Sequence, residues 1–287
     1  MKIQLLGAIG ALAFATAVHA APAADTTVIN GYLGGDYSRL TLNISDGGGS
    51  HGIDAWGGGV AVSAPLSGNW GGQVDGQVHE FSISKLGVEG LGDQWVVTPT
   101  AHGFYRTDRW LAGGFIGGEV ANQISMFGGG VEGQVYPTSN VTLEGSTGYA
   151  TINKGGTTGF WGARLGGRYF FTNNFSVGAN ANYVNAHTNG FSDTNGWTGG
   201  VNGEYKFNNA PVSLTLAYEH GDLHALGVSS DTVKVGVRWV PGGTLRDRDT
   251  KGAGLPNFSD TFGGEEFQGL LGLGSSFVSG CGISCEF

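Results

Sequence analysis

Residues 197–207 read WTGGVNGEYKF and alternate between two kinds of side chain at every second position. One set includes the apolar Val201 and Tyr205, and the other includes the charged Glu204 and Lys206. Because residues i, i+2 and i+4 of a β-strand lie on the same face, the stretch predicts a strand with one apolar and one polar face. Phe160–Phe171 and Thr232–Trp239 repeat the pattern.

Five short polar connectors separate segments of this kind, at intervals of roughly thirty to forty residues. They are Pro65–Asn69, Thr107–Arg109, Pro137–Asn140, Thr172–Asn174 and Asn208–Pro211. Each interval holds two strands and one longer loop, which is the spacing of a membrane β-barrel built from hairpins. The predicted strands lie near residues 28–42, 52–65, 69–81, 95–106, 109–121, 124–136, 140–151, 159–171, 174–186, 196–207, 211–220 and 231–240. The sequence therefore predicts an all-β fold, a transmembrane antiparallel up-and-down barrel of about 12 strands, with ten or fourteen as alternatives.

The remaining connectors are longer, and we expect them to be extracellular loops. They are Ser45–His51, Ser82–Gln94, Asn153–Thr158, His187–Asn195 and Gly221–Ser230. An even strand count then places both termini on the periplasmic side. Aromatic residues near the short connectors predict a belt at one membrane boundary, formed by Trp70, Trp110, Tyr136, Phe171, Phe175, Phe207 and Trp239.

Composition favours a barrel over a soluble domain. Charged residues make up only 13% of the 287 residues, and 56 residues are glycine, whereas soluble domains carry about a quarter charged residues. The net charge of −9 argues against nucleic-acid binding, which needs a basic face. Residues 1–20 predict an export signal, so that the mature barrel domain spans 21–240. No later window is apolar for the roughly twenty residues that a membrane helix needs.

Charged side chains on the polar faces are predicted to line the lumen, and they are the candidates for solute selectivity: Glu132, Glu144, Arg164, Arg168, Glu204, Lys206, Glu219, Lys234 and Arg238. Four of them, Glu132, Glu144, Arg168 and Glu204, lie at a similar distance from the nearest short turn and should share one level. Such a ring could filter solutes or could seal the lumen as an ion-pair network. The inward glycines Gly162, Gly166, Gly200 and Gly236 take up little space and favour an open lumen.

Evidence for catalysis or for a cofactor is weak. His220, Asp222 and His224 lie at a strand end near Glu219, but no nucleophile with a motif accompanies them. Solvated loop histidines are the more ordinary interpretation, and we predict neither an enzyme nor a metal site.

The segment 241–287 is predicted to be either a periplasmic tail or a lumen plug, because Phe258, Phe262, Phe267 and Leu270–Leu273 need a place to be buried. Cys281 and Cys285 are predicted to close a small disulfide loop, because exported proteins reside in an oxidising space.

The export signal, the glycine-rich alternating strands with aromatic ends and the stretch Arg238–Asp249 resemble the porin-like outer-membrane β-barrel proteins of Gram-negative bacteria. The resemblance covers about residues 28–250. It implies the barrel fold, an outer-membrane location with lipid contacts, and an assembly that could be a homo-oligomer. It also suggests passive diffusion of ions or small polar solutes. The alternatives are a closed structural or surface-interaction barrel and, third, an outer-membrane hydrolase.

Overall fold

A computed structural model describes residues 30–44, 49–82, 93–121, 124–153, 157–188, 194–223 and 227–264. Twelve antiparallel strands form a closed barrel in which each strand pairs with its neighbours in sequence and the last pairs with the first. The strands are β1 (Asn30–Ile44), β2 (Gly49–Ser67), β3 (Trp70–Phe81), β4 (Gln94–Arg106), β5 (Trp110–Ala121), β6 (Ile124–Thr138), β7 (Val141–Asn153), β8 (Thr157–Thr172), β9 (Phe175–Thr188), β10 (Thr194–Lys206), β11 (Val212–Leu223) and β12 (Val228–Trp239). Two short helices follow, α1 (Leu245–Lys251) and α2 (Phe258–Thr261). The predicted fold class and strand number are confirmed.

The strand register sets the width of the barrel. Followed once around the twelve pairings, the register shifts by about 14 residues, which corresponds to a tilt of about 40° and a backbone diameter of about 23 Å. Inward side chains then leave a lumen of about 12 Å, close to the diameter of one α-helix. None of the helices in the described ranges is long and apolar enough to cross a membrane.

Several strands extend further than predicted toward the end that carries the longer connectors, which we call the loop end. β2 begins at Gly49, β11 ends at Leu223 and β12 begins at Val228, so the predicted loops Ser45–His51 and Gly221–Ser230 are too long. The extension follows from continued pairing, for example between His220 and Asp231. The opposite end, which carries the five short connectors, is the turn end.

The outer surface carries two bands of exposed aromatic side chains, although the sequence predicted only one. The band at the turn end contains Trp70, Trp110, Tyr169, Phe171, Phe175, Tyr205, Phe207 and Trp239, and the second band contains Trp56, Trp95, Tyr149, Trp161, Tyr183, Trp197 and Tyr218. Exposed aliphatic residues such as Leu165 and Val201 lie between them. Two aromatic bands on either side of an apolar zone are typical of the two membrane interfaces of a barrel.

The prediction for Tyr136 was wrong, because this residue does not belong to the belt. Its hydroxyl group donates a hydrogen bond to Oε1 of Gln134, which is buried inside the barrel, at 2.9 Å. Tyr136 lies within the register shift of β6 between Val135 and Thr138, where the regular pairing with β7 is interrupted.

Beyond the second aromatic band, the polarity of the strands is reversed. The inward side chains there form an apolar layer of Leu40, Leu42, Ile53, Phe81, Val96, Met126, Phe160, Val184 and Leu223, none more than 6% exposed. On β1, β2, β11 and β12 charged side chains face outward: Arg39 pairs with Asp54 at 3.0 Å, and His220 Nδ1 lies 2.9 Å from Asp231. Charged residues on the outer surface indicate that these strands extend beyond the membrane.

Candidate functional site inside the barrel

The chain re-enters the barrel after β12. The Val240 amide donates a hydrogen bond to the Pro211 carbonyl at 2.7 Å. Gly242 and Gly243 then adopt φ values of 73° and 58°, a left-handed conformation that glycine adopts without steric cost. The Lys206 ammonium group binds the Gly243 carbonyl. These contacts turn the chain from the rim at the turn end into the lumen.

Helix α1 is capped at its start and lies near the turn end. The side chain of Thr244 accepts a hydrogen bond from the Asp247 amide, and the Asp247 side chain binds the Thr244 amide in return, which forms a capping box. The hydrogen bond from the Thr244 hydroxyl group to Asp247 holds the pKa of this carboxyl below its usual value. Asn173 and Asn174, in the turn between β8 and β9, accept hydrogen bonds from the Arg246 and Leu245 amides.

Glu204 is the main anchor for α1. Its two carboxylate oxygens accept hydrogen bonds from both terminal nitrogens of Arg248, at 2.8 and 2.5 Å. Glu204 Oε2 also lies 3.1 Å from Arg238, and Ser213 donates to Oε1 at 2.6 Å. A bidentate arginine pair fixes both distance and orientation, so this contact positions α1 against β10.

A second charged group joins α1 to the wall formed by β7 and β8. The carboxylate of Asp249 pairs with Arg168 and accepts a hydrogen bond from the Thr142 hydroxyl group at 2.5 Å. Arg168 also lies 3.8 Å from Glu144, which binds Arg164 at 2.5 Å.

The chain between the helices binds a buried network on β3, β4 and β6. The side-chain amide of Gln73 donates to the Leu255 carbonyl at 3.1 Å and accepts from the Leu255 amide at 3.2 Å. The same Gln73 nitrogen donates to Asp75, which contacts His102 Nε2 at 2.9 Å, and the other ring nitrogen of His102 contacts Glu132 at 2.8 Å. Glu132 therefore belongs to a separate group from Glu144 and Glu204.

Deeper in the barrel, α2 packs against the apolar layer. Phe258 is fully buried, Phe262 is 1% exposed, and both belong to the same apolar cluster as the layer. The Phe258 amide donates to Thr100 at 2.9 Å, and the Thr261 hydroxyl group lies 2.7 Å from that of Ser146.

Inward glycines provide the space for these side chains. A Cβ atom on Gly162 would lie 2.5 Å from the Thr261 carbonyl oxygen and 2.8 Å from the Phe262 ring, and one on Gly117 would lie 2.8 Å from Cβ of Phe258. The expectation that Gly162 favours an open lumen was wrong, because the space beside it is filled by α2.

The nine sequence-predicted lumen residues fall into two groups. Buried and bonded side chains make up the first group, Glu132, Glu144, Arg164, Glu204 and Lys206. The second group keeps access to solvent, with the Arg168 and Arg238 side chains 24% and 34% exposed and Glu219 and Lys234 half-buried.

The solvent-accessible residues indicate where space remains. α2 packs on β4, β5, β7 and β8. Across the lumen, six inward residues in the middle of β9 to β12 and of β1 are only half-buried. They form what we call the polar stripe: Asp36, Asn180, Asn202, Thr215, Glu219 and Lys234. The water-accessible part of the lumen in the middle of the barrel therefore lies on the side opposite α2.

Sequence reasoning missed Gln73, His102, Arg248 and Asp249. For Gln73 and His102, the available signal was their inward position in the strand alternation. For Arg248 and Asp249 it was the charged run that follows the last strand.

The residues considered for catalysis are not brought together. Glu219 faces the lumen, whereas His220 faces outward and binds Asp231. His224 lies outside the described residues, as do Cys281 and Cys285. No group of three or more potential metal ligands occurs within the described ranges.

Comparison with solved structures supports the fold class. An outer membrane channel from Pseudomonas putida matches with a TM-score of 0.60 at 11% identity, over 77% of this chain and 99% of that chain. The NanC porin matches with a TM-score of 0.50 at 11% identity, over 71% of this chain and 98% of that chain. The chain thus has the fold of the porin-like outer-membrane β-barrels. Its sequence matches no protein-family model and no curated protein.

Proposed function

We propose that the protein is an outer-membrane channel for ions or small polar solutes, in which residues 241–264 narrow the lumen. In this proposal the solutes pass along the polar stripe, and the turn end with its short connectors faces the periplasm. Diffusion is passive, and the protein has no catalytic role. The membrane lipids contact the zone between the two aromatic bands.

The observation that carries the proposal is the asymmetry of the lumen. Near the turn end, Glu204 and Lys206 on β10 bind the C-terminal segment. In the middle of the barrel, the segment is bonded to the wall of β4 and β7 through the buried residues Thr100 and Ser146. The opposite wall keeps half-buried polar and charged residues in the middle of the barrel. Charged side chains with access to water inside a barrel set the electrostatic field for a passing ion.

The assignment of selectivity follows from the same division. Glu219 and Lys234 lie on the polar stripe with access to water, so that their charges can act on a passing ion. Glu144 and Glu204 are buried and bonded to arginine side chains, and these groups hold the segment in place. We therefore propose the solvent-accessible Glu219, Lys234, Arg168 and Arg238 as selectivity residues and the buried Glu132, Glu144, Arg164, Glu204 and Lys206 as structural residues.

Conductance in planar bilayers tests this function. We expect discrete current steps, with a reversal potential in a salt gradient that moves toward anion preference in Glu219→Gln and toward cation preference in Lys234→Gln. Arg39→Gln is the matched control, because Arg39 lies on the outer surface with its side chain 58% exposed. Absence of steps from well-folded protein, or equal selectivity in all three variants, would contradict the proposal.

The second candidate is a closed barrel with a structural or surface-interaction role. The buried apolar layer at the loop end favours it, because such a layer opposes the entry of hydrated ions. The same bilayer measurement separates the two candidates, since a closed barrel gives no steps at any voltage.

The export signal, the disulfide between Cys281 and Cys285 and a homo-oligomeric assembly stay predictions.

A further inference from the structure

Arginine side chains surround α1 inside the lumen. They form two groups of ion pairs, Arg164 and Arg168 with Glu144 and Asp249, and Arg238 and Arg248 with Glu204. Because Arg248 and Asp249 are consecutive residues of α1, the helix joins the two groups into what we call the arginine cluster. The cluster contains four arginines and three carboxylates, so its net charge is positive.

The two kinds of charge in the cluster differ in their access to water. The Arg168 and Arg238 side chains are 24% and 34% exposed. The carboxylate side chains of Glu144, Glu204 and Asp249 are each at most 9% exposed. Since the cluster lies inside the barrel, its exposed surface faces the water of the lumen. A solute that passes the cluster therefore meets guanidinium N–H groups rather than carboxylate oxygens.

Arg238 is held in a position that leaves part of its guanidinium group available. The stem of this side chain crosses Gly34 on β1, where an added Cβ would lie 2.8 Å from Cγ of Arg238. The guanidinium group lies 4.6 Å from the centroid of the Tyr32 ring and donates to Glu204 through Nη1. Among the described residues, Glu204 is the one hydrogen-bond partner of Arg238. A guanidinium group has five N–H donors in a planar fork that fits carboxylate and phosphate, so donors remain for such a group on a solute.

Arg238 lies at the turn-side end of the polar stripe. It shares the inward face of β12 with Lys234, and Gly236 lies between them without a side chain to fill the space. Arg238 is the last residue but one of β12, whereas the half-buried carboxylates Asp36 and Glu219 lie deeper in the barrel. A solute that follows the polar stripe through the barrel therefore also passes Arg238.

We propose that the arginine cluster is a binding site for small oxyanions, carboxylates or phosphates, and that these anions are the solutes the channel favours. The binding site stands on the geometry of the cluster alone, whereas its role in solute choice rests on the proposed channel function. Arg168 and Arg238 are the residues that contact the anion. Glu144, Glu204 and Asp249 act as positioning residues, because they hold the guanidinium groups at the surface of the lumen.

Citrate is the probe, and its interaction with the full-length protein is measured in two ways. Isothermal titration calorimetry of the detergent-solubilised protein measures binding without any ion flow, and planar bilayers measure the block of chloride current by citrate. Glycerol is the uncharged control solute. The main variant is Arg238→Gln, which leaves Glu204 bound to both terminal nitrogens of Arg248. Arg109→Gln is the matched control, because it removes the same charge from an exposed turn at the same end of the barrel.

We expect citrate, but not glycerol, to bind to the unmodified protein and to Arg109→Gln with equal affinity. Arg238→Gln should bind citrate about ten- to a hundredfold more weakly, the effect of losing a charged hydrogen-bond partner. Arg238→Lys should give an intermediate affinity, because lysine keeps the charge but lacks the planar fork. Slower migration of the unheated protein in a denaturing gel verifies that each variant is folded.

The binding site is refuted if citrate does not bind to folded protein, or if Arg238→Gln and Arg109→Gln weaken binding equally. Current steps without citrate binding would contradict the site and leave the channel function intact. Citrate binding without current steps would support the site and contradict the channel function. The two failures are therefore distinguishable.

Discussion

The substitution Phe258→Ala should release the C-terminal segment from the barrel wall. Phe258 is fully buried, its ring lies 4.8 Å from Phe262 and 6.4 Å edge-on from Phe115, and its backbone binds Thr100. Replacement of a buried phenylalanine by alanine costs about 3–5 kcal/mol. Since each 1.4 kcal/mol is about a tenfold change in an equilibrium constant, the ratio of docked to undocked segment should fall by roughly two to four orders of magnitude.

Single-channel recording measures this ratio as the fraction of time spent in a high-conductance state. We expect long openings of larger conductance in Phe258→Ala and unchanged behaviour in Phe127→Ala, the matched control, because Phe127 faces outward and is 66% exposed. Retention of the folded barrel is checked by its slower migration after heating in a denaturing gel. If both variants conduct alike while both remain folded, the segment does not control the lumen.

Two further substitutions address the same segment. Gly162→Val should displace Phe262 at a cost of about 1–3 kcal/mol from overpacking. It should therefore raise the fraction of time spent in the high-conductance state. Gly103→Ala should leave this fraction unchanged, because no atom lies within 4 Å of the added Cβ. Gln73→Leu removes both hydrogen bonds to the Leu255 backbone, each worth about 1 kcal/mol. We expect this variant to expose residue 255 to protease, and unchanged cleavage would argue against the anchor.

Alternation along the strands was sufficient to predict the barrel, because the period of two is fixed by strand geometry. The alternation is less regular in β1, and the structure explains why. Leu33 faces outward near one end of this strand, whereas Leu40 and Leu42 face inward near the other, so the strand is amphipathic in opposite senses at its two ends. Tyr136 was misassigned because a register shift lies beside it.

The contents of the lumen could not be predicted from local patterns. The Arg248 and Glu204 pair joins residues that are 44 positions apart, and the Gln73 and Leu255 contact spans 182 positions. Such contacts depend on closure of the whole barrel, which no window of the sequence encodes. The space beside Gly162 was misinterpreted for the same reason, since its occupant comes from a distant part of the chain.

The closed ring of strands around residues 245–264 also constrains the order of assembly. A chain enclosed on all sides by twelve paired strands can reach its position only before β1 and β12 pair, or by passing through the rim at the turn end. In the first case the segment is in place before the barrel closes. Strands β7, β8 and β10 then bind Asp249 and Arg248 while the seam, the pairing between β1 and β12, is not yet formed. Variants that weaken these ion pairs should then slow closure of the seam as well as loosen the finished barrel, so that the rate of folding into vesicles would report on contacts inside the lumen.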